Sequence, residues 1–162
     1  GGSSFGVTKV KEPVQIQPAI AKAFSEGIEV LIETFTPGKE FTCGMYKTKS
    51  KTTVFPVTEI VPKNEFFDFG AKYNNESEEI TPARISENLS ARIKTLTEAI
   101  YDILGCKGII RVDYIISEGE IINLLEVNTT PGMTATSFIP QQVRAAGIDI
   151  RDVMTDIIED SF

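Results

Sequence analysis

The sequence contains no histidine, and this absence narrows the chemistry that the chain can perform. A Ser-His-Asp triad, a His-ligated zinc site and an imidazole general base are all excluded within these 162 residues. Cysteine is scarce too, because only Cys43 and Cys106 are present and their spacing matches neither a metal site nor a disulfide scaffold. We therefore expect both to be buried free thiols in a reducing cytoplasm.

The sequence also lacks a long apolar run and an excess of positive charge. A membrane span is therefore not expected, and a net charge of −7 argues against binding nucleic acid through a general basic surface. A local cationic cleft for nucleotide phosphates remains compatible with that charge. With 41% hydrophobic and 24% charged residues, the chain has the composition of one soluble globular domain. No signal peptide is visible, and the abrupt start at Gly1 leads us to expect a fragment.

Residues 108–137 contain two apolar-rich segments that predict a β-hairpin followed by a polar loop. The dipeptide Glu118-Gly119 is suited to a tight turn between the two strands. Antiparallel partners keep a constant sum of residue numbers, so a two-residue turn fixes the pairing along the whole hairpin. The expected pairs are Ser117 with Glu120, Arg111 with Glu126, and Asp113 with Leu124.

Side chains alternate between the two faces of each strand, and this alternation separates a core face from a charged face. The predicted core face consists of Ile110, Val112, Tyr114, Ile116, Ile121, Leu125 and Val127. The other face carries the polar residues Arg111, Asp113, Glu126 and Asn128, beside the apolar residues Ile109, Ile115, Ile122 and Leu124. So much apolar surface indicates a cleft, and carboxylates, an amide oxygen and an arginine in a cleft can hold Mg²⁺ and phosphate together.

Hydrophobic periodicity and turn residues place the remaining elements. We predict helices at Pro13–Phe24, Arg84–Leu104, Pro140–Ala146 and Ile150–Glu159, and strands at Ile28–Phe35, Glu40–Lys47 and Thr52–Val61. Pro56 indicates an edge or a bulge in the last strand. Residues 62–82 read as an irregular segment that is too long for a mere connector and is typical of a lid or binding loop. Its aromatic residues argue against simple disorder. The fold class is α+β, a mainly antiparallel sheet with helices packed on one side.

Three further segments contain candidate ligand-binding residues, and each segment also has an interpretation that involves no ligand. The glycine- and serine-rich residues 1–7 suit phosphate binding, but also a flexible terminus. Glu33 and Glu40 flank the turn at residues 36–38, where they suit a ligand amine or hydroxyls, and either acid alone is also typical of a solvated strand end. Lys72, among aromatic residues, suits closure over an anion, but also an ordinary surface position.

Five segments together give the chain a resemblance to the D-alanine:D-alanine ligases of the ATP-grasp superfamily. They are GGSSFGV, LIETFTPGKEF, FGAKY, GIIRVDY and LLEVNTTPGMTATS, in this order along essentially all 162 residues. The resemblance implies the C-terminal ATP-grasp portion of such a ligase. It also implies that residues 1–162 are a single catalytic-domain fragment, without the N-terminal substrate domain and most of the smaller nucleotide lobe.

The resemblance implies ATP as the nucleotide and assigns it several positions besides Ser3 and Ser4. Glu33 lies near the adenine amino group, and Glu40 binds the ribose hydroxyls. The backbone of Phe35 and of Thr36 borders the adenine edge. Lys72, in the closing loop, reaches a phosphate.

The resemblance also implies which residues act on the substrate. Ser3 and Ser4 contact the amino end of the substrate and the nucleotide phosphates. Tyr73 helps to build the closed site and favours an amide-forming over an ester-forming ligase. Arg111 and the backbone at Gly132 stabilise the oxyanion.

The metal ligands and the second-substrate residue complete the implied site. Asp113, Glu126 and Asn128 resemble the ligands of Mg²⁺, for which Mn²⁺ is the expected substitute. Ser137, with Gly132, resembles the substrate-binding position that holds the carboxylate of the second D-alanine. Many members of the family carry histidine where this chain has Thr136, which bears on selection of the second substrate.

The implied function is ATP-dependent formation of D-alanyl-D-alanine through an acylphosphate, for peptidoglycan precursor synthesis in the cytoplasm. Small molecules are the expected partners, with no nucleic acid and no membrane, and a homodimer is a common assembly in the family. The fragment alone is expected to be inactive because half of its nucleotide clamp is missing. Two alternatives stay open: another ATP-grasp dipeptide ligase, such as one making D-alanyl-D-serine, and a non-catalytic nucleotide-binding module.

Overall fold

The computed structural model of the chain describes residues 5–62 and 77–162. The chain divides into two compact units, of which the first ends at Thr36 and the second is Pro37–Phe162. None of the helices within the described residues is long and apolar enough to cross a membrane. The helices are α1 (Ile16–Phe24), α2 (Glu87–Ile103), α3 (Phe138–Ala145) and α4 (Ile150–Asp160).

The first unit contains a helical segment and an extended segment. A 3-10 turn at Pro13–Gln15 leads into α1, which confirms the helix predicted at Pro13–Phe24. The strand predicted at Ile28–Phe35 is wrong, since these residues form no helix or strand and Ile28 is 94% exposed. A strand needs a hydrogen-bonded neighbour, and the described part of the chain gives this stretch no ladder partner.

The second unit is built on a six-stranded sheet in which all the described pairs are antiparallel. The strands are β1 (Lys39–Lys47), β2 (Thr52–Val54), β3 (Thr58–Pro62), β4 (Ser77–Ile80), β5 (Gly108–Ser117) and β6 (Ile121–Asn128). They follow the order β4-β3-β1-β5-β6, and β2 also pairs with β1. One edge of β1 pairs with β5 along its whole length, so β2 and β3 share the other edge.

Pro56 divides the single strand predicted at Thr52–Val61 into two. Residues 55–57 leave the ladder between β2 and β3, as expected where a proline lacks the N–H group that a ladder needs. The segment predicted to be irregular over residues 62–82 contains a strand as well, because β4 pairs with β3. The rest of that segment, residues 63–76, lies outside the described residues.

Helix α2 covers one face of the sheet. Ser86 caps it by accepting a hydrogen bond from the backbone N–H of Leu89, so the helix begins later than the predicted start at Arg84. The apolar residues that recur at helical spacing from Ile85 to Ile100 are buried or pack on the core, but Leu104, just beyond the end of the helix, is exposed. Cys43 is buried in this core, and burial raises the pKa of its thiol to about 11, whereas Cys106 is only partly buried.

Helices α3 and α4 cover the opposite face, so the prediction that the helices pack on one side is wrong. Tyr46 and Phe55 form a second core with Ile139, Val143 and Val153 of these helices. Their neighbours in the strands, such as Met45 and Ile110, belong to the core under α2. The sheet is therefore apolar on both faces at this end and requires a helical layer on each.

The hairpin of β5 and β6 forms as predicted, but its register is different. Ser117 pairs with Ile121, because the turn at Glu118–Glu120 has three residues, with Gly119 at φ 74° and Glu120 at φ 56°. A bulge between Asp113 and Tyr114 then shifts the register again. The resulting pairs are Arg111 with Asn128, Asp113 with Glu126, and Tyr114 with Leu124.

The turn and the bulge also change which side chains of β6 face the core. Ile122 packs against the core, although it was predicted on the charged face. Ile121 and Leu125 were predicted in the core but are 59% and 54% exposed. The predictions for Ile110, Val112, Tyr114 and Ile116 are confirmed, since all four are buried.

Candidate functional site

Arg111 and Asp113 form an ion pair at the centre of the charged face. The two residues are two positions apart in β5, so their side chains point to the same side of the sheet. Arg111 donates from Nε to Asp113 Oδ1 at 2.9 Å and from Nη2 to Asp113 Oδ2 at 2.7 Å. Both side chains are largely buried, at 17% and 12% exposed. This two-point contact fixes the plane of the carboxylate relative to the guanidinium.

Glu126 and Asn128 of β6 complete the cluster. Asn128 Nδ2 donates to Asp113 Oδ2 at 3.1 Å and to Glu126 Oε1 at 3.0 Å, and Arg111 Nη2 lies 3.9 Å from Glu126 Oε1. The carboxylates of Asp113 and Glu126 therefore share the side-chain amide nitrogen of Asn128 as a hydrogen-bond donor. A position flanked by two carboxylates and an amide attracts a hard cation, and the amide can offer its oxygen to such a cation.

Strand β1 supplies two further groups to this face. Thr42, opposite Asp113, is buried and donates from its hydroxyl to Asp113 Oδ1 at 2.6 Å. Glu40, two residues earlier in β1, lies on the same face. Burial, and after it the charge of Asp113, raises the pKa of the Glu40 carboxyl above its usual value. Glu40 therefore borders the cluster closely enough for the charge of Asp113 to act on it.

Arg111 is held in its charged form. Burial by itself lowers its pKa, but the hydrogen bonds and charge of Asp113, with the charges of Glu126 and Glu79, raise the pKa above its ordinary value. The guanidinium carbon also lies 5.2 Å from the centre of the Phe138 ring at the start of α3. A permanently charged, oriented guanidinium can stabilise negative charge that develops on a substrate.

The loop between β6 and α3 brings Gly132 beside Ser137. Ser137 Oγ accepts a hydrogen bond from the backbone N–H of Thr134 at 3.1 Å and lies 2.7 Å from the Thr134 hydroxyl. A Cβ built at Gly132 would lie 3.0 Å from Ser137 Oγ, so a side chain at Gly132 would crowd that hydroxyl. The two positions predicted to bind the second substrate are therefore neighbours.

Two side chains of α3 hold the backbone of this loop. Gln141 Nε2 donates to the carbonyl of Thr136 at 2.8 Å, and Arg144 Nη2 donates to the carbonyl of Ala135 at 2.9 Å. Gln141 also donates to the carboxylate of Glu79 in β4. The loop before Ser137 is thus fixed to the helix that follows it, and that helix is tied to β4.

The other predicted residues belong to the first unit or lie outside the described residues. Glu33, Phe35 and Thr36 belong to the first unit, where Lys9 Nζ lies 3.3 Å from the centre of the Phe35 ring. The strand expected to carry Glu33 and Phe35 is not formed. Four predicted positions lie outside the described residues: Ser3, Ser4, Lys72 and Tyr73.

The sequence did not reveal three side chains that contact the cluster or the backbone next to it. They are Thr42, Phe138 and Gln142. Thr42 becomes visible only when the register of β1 against β5 is known, because 70 residues separate it from Val112 along the chain. In the described part of the chain, no group of three or more His, Cys, Asp or Glu side chains has the geometry of a metal site. The cluster instead combines two carboxylates with an amide and an arginine.

Comparison with protein families and curated proteins gives consistent matches along the whole chain. A family model described as the D-ala D-ala ligase C-terminus matches residues 1–159. A protein named D-alanine--D-alanine ligase from Bacteroides fragilis (strain YCH46) is 76% identical over 162 residues, which are 100% of this chain and 50% of that protein. A protein of the same name from Phocaeicola vulgatus is 71% identical, with the same coverage. The chain spans about half the length of the curated relatives it matches.

Solved structures share the architecture. The VanG D-Ala:D-Ser ligase from Enterococcus faecalis superposes with a TM-score of 0.86 at 35% identity, covering 98% of this chain and 46% of that one. The D-alanyl-alanine synthetase A from Vibrio cholerae gives a TM-score of 0.85 at 27% identity, covering 98% and 49%. A D-alanine--D-alanine ligase from Bacillus anthracis complexed with ATP gives 0.76 at 30% identity, covering 94% and 47%. These likenesses confirm the predicted fold class, an antiparallel sheet with packed helices in an ATP-grasp C-terminal portion.

Proposed function

Because the chain belongs to the family of D-alanine:D-alanine ligase C-terminal domains, we propose that the full-length protein joins two D-alanine molecules at the expense of ATP. Relatives that are 70% to 76% identical carry the name D-alanine--D-alanine ligase. In this reaction, ATP phosphorylates the carboxylate of the first amino acid, and the amine of the second displaces the phosphate. The products are the dipeptide, ADP and phosphate, and the dipeptide serves peptidoglycan precursor synthesis.

One observation carries this proposal: Arg111, Asp113, Glu126 and Asn128 converge on one face of the hairpin. Their closest polar atoms are separated by 2.7 to 3.9 Å. Phosphoryl transfer requires positioning and charge neutralisation more than covalent chemistry from the protein, and this cluster offers both. The competing idea of a non-catalytic nucleotide-binding module would be favoured by divergent side chains at these positions.

The donor set fits Mg²⁺, with Mn²⁺ as its substitute. Asp113, Glu126 and Asn128 would hold the ion, because hard oxygen ligands suit it and three of them leave room for phosphate and water. When bound, the ion neutralises charge on the phosphates during transfer. The side-chain N–H of Asn128 lies between the two carboxylates, and this arrangement supports a cation site at that position.

The chain's own residues orient the reacting groups. Arg111 is charged at working pH, as guanidinium groups are, and it offsets the negative charge on the tetrahedral carbonyl oxygen, together with the backbone at Gly132. Ser137 holds the carboxylate of the second D-alanine, within a loop fixed by Gln141. Glu40 binds the ribose hydroxyls beside the cluster.

The remaining assignments rest on the family alone. Glu33, with the backbone of Phe35 and Thr36, binds adenine, and Ser3, Ser4, Lys72 and Tyr73 close the site around the phosphates and the substrate. We expect the full-length protein to work in the cytoplasm, where ATP is available, and to form a homodimer. Light scattering of the purified full-length protein measures the assembly directly.

Substrate profiling of the full-length protein tests the proposal. ADP release is measured with D-alanine alone, then with D-alanine plus either D-serine or D-lactate. We expect D-alanine to be the preferred second substrate. A higher kcat/KM for D-serine would favour the second candidate, a D-alanyl-D-serine ligase, which the likeness to the VanG D-Ala:D-Ser ligase supports. ADP release that no amino acid stimulates would reject ligase activity.

A further inference from the structure

The hydrogen-bond ladder on the β2–β3 edge of β1 is interrupted next to Thr42, which contacts Asp113 of the charged cluster. β3 pairs with residues 40–42 of β1 and β2 pairs with residues 45–47, so the chain around Pro56 leaves the backbone between these stretches without a regular strand partner. Buried backbone N–H and C=O groups need hydrogen-bond partners, since leaving them unpaired is costly. The N–H of Phe55 donates to the carbonyl of Gly44 at 2.9 Å, so the N–H of Gly44 and the carbonyl of Thr42 are the groups that still need a partner.

Gln142 of α3 supplies both partners with its side-chain amide. The Oε1 atom accepts a hydrogen bond from the N–H of Gly44 at 2.9 Å, and Nε2 donates to the carbonyl of Thr42 at 3.1 Å. Nε2 also lies 3.0 Å from the hydroxyl oxygen of Thr58. Gln142 is fully buried, so these bonds are shielded from water. One side chain thus replaces a peptide group of the missing strand and fixes the backbone on both sides of residue 43.

Gly44 permits this arrangement. A Cβ at Gly44 would lie 2.3 Å from Ile139 Cδ1 and 2.7 Å from Gln142 Oε1. Only a residue without a side chain allows α3 to approach β1 this closely. The close approach places the start of α3, with Phe138, beside Arg111.

The backbone that Gln142 fixes carries Thr42, whose hydroxyl lies 2.6 Å from Asp113 Oδ1. Thr42 is fully buried, whereas Asn128, which with Arg111 donates to the other carboxylate oxygen, is only partly buried. Arg111 donates to both oxygens of this carboxylate, and the buried Thr42 hydroxyl adds a second donor on Oδ1 from the opposite strand, which holds Oδ2 on the side of Asn128 and Glu126. Donors of this kind behind metal-binding carboxylates affect metal affinity as well as fold.

We propose that Thr42 is a positioning residue: its hydroxyl orients Asp113 so that Oδ2 faces Glu126 and Asn128, where the proposed function places the cation. The role is indirect, since Thr42 is buried and contacts Asp113 rather than the ligand. The inference rests on the proposed function only in taking Asp113 as a metal ligand.

The test measures Mn²⁺ affinity of the full-length protein by electron paramagnetic resonance, in the presence of a non-hydrolysable ATP analogue. Thr42→Val removes the hydroxyl and keeps the shape of the side chain. We expect it to weaken Mn²⁺ binding by about 10-fold or more, the effect typical of losing a hydrogen bond to a ligand. Thr42→Ser keeps the hydroxyl and is expected to bind Mn²⁺ within about two-fold of the parent. Thr42→Ala removes the hydroxyl with less bulk, should valine disturb the strand.

Thr97→Val is the matched control. Thr97 is also a fully buried threonine, and its hydroxyl bonds the carbonyl of Ile93 and the hydroxyl of Tyr114 in the core under α2. We expect this variant to lose stability but to keep the parental Mn²⁺ affinity. If the metal affinity followed stability alone, both valine variants would weaken binding alike.

Two results separate failure of this inference from failure of the proposed function. A parent protein that binds Mn²⁺, with folded Thr42→Val or Thr42→Ala binding it equally well, overturns the positioning role and leaves the proposed site intact. A parent protein that shows no Mn²⁺ binding with the nucleotide analogue rejects the metal site itself, and this inference with it.

Discussion

Glu126→Gln in the full-length protein should separate function from stability. The Glu126 side chain is 59% exposed, and its contacts are the hydrogen bond from Asn128 at 3.0 Å and the approach of Arg111 at 3.9 Å. Glutamine keeps an oxygen that can accept the bond from Asn128, so only a solvent-screened ion pair is lost. Such pairs contribute about 0 to 1 kcal/mol, and we expect the free energy of unfolding to fall by no more than this.

The effect on activity should be far larger. Removing one negative charge from the proposed cation site should lower ATP-dependent dipeptide formation by at least about 100-fold, the scale of losing one electrostatic contact with a transition state. The assay measures ADP release at saturating D-alanine over a series of Mg²⁺ concentrations, beside a urea unfolding curve. Near-parental turnover at saturating Mg²⁺ would refute the role assigned to Glu126.

Asp113→Asn is the comparison that shows why Glu126 is the better probe. The Asp113 side chain is 12% exposed and accepts hydrogen bonds from Thr42, Arg111 and Asn128. Its loss leaves the Arg111 guanidinium, which is 17% exposed, without its ion partner. Breaking a buried pair costs about 3 to 5 kcal/mol, and we expect a loss near the lower end because some solvent reaches both groups. Loss of activity in this variant would therefore be ambiguous between fold and chemistry.

Three further perturbations test other parts of the account. Arg111→Lys should lower kcat by about 10²- to 10³-fold, because lysine cannot make the two-point contact, and a kcat near that of the parent would contradict the assigned role. Gly44→Ala should destabilise the protein by about 1 to 3 kcal/mol, since the new Cβ would lie 2.3 Å from Ile139 Cδ1, and an unchanged urea midpoint would contradict this packing. The hydrogen bond from Arg84 holds the pKa of Glu59 below its usual 4.5, so the stability that Glu59 contributes is present above that pH and is lost as pH falls through the lowered folded-state value. Glu59→Gln should therefore reduce the loss of stability on acidification, which thermal unfolding at a series of pH values measures.

The sequence predicted the elements whose signals are local. The apolar stripe of α2, the alternation of β5 and the hairpin after residue 117 all appear close to where they were expected. The grouping of Arg111 with Asp113 follows from the period of the strand alone. The observed register differs from the predicted register by two residues, one added by the turn and one by the bulge. Because side chains alternate with period two, a shift of two residues leaves Glu126 and Asn128 on the same face as Arg111 and Asp113.

The features that sequence reasoning missed depend on long-range packing. The strand predicted at Ile28–Phe35 has the right composition, but no described segment pairs with it. α3 shows the same amphipathic pattern whichever face of the sheet it covers, so the pattern cannot place it opposite α2. The contact of Gln142 with Thr42 joins residues 100 positions apart and exists because Pro56 interrupts the ladder. No local pattern encodes such a contact.

The most direct test of the central claim is a crystal structure of the full-length protein with Mg²⁺ and a non-hydrolysable ATP analogue. We expect oxygen atoms of Asp113, Glu126 and Asn128 to lie about 2.0 to 2.1 Å from bound Mg²⁺, with the nucleotide phosphates completing its coordination. A nucleotide-bound Mg²⁺ that contacts none of these three side chains would contradict the account.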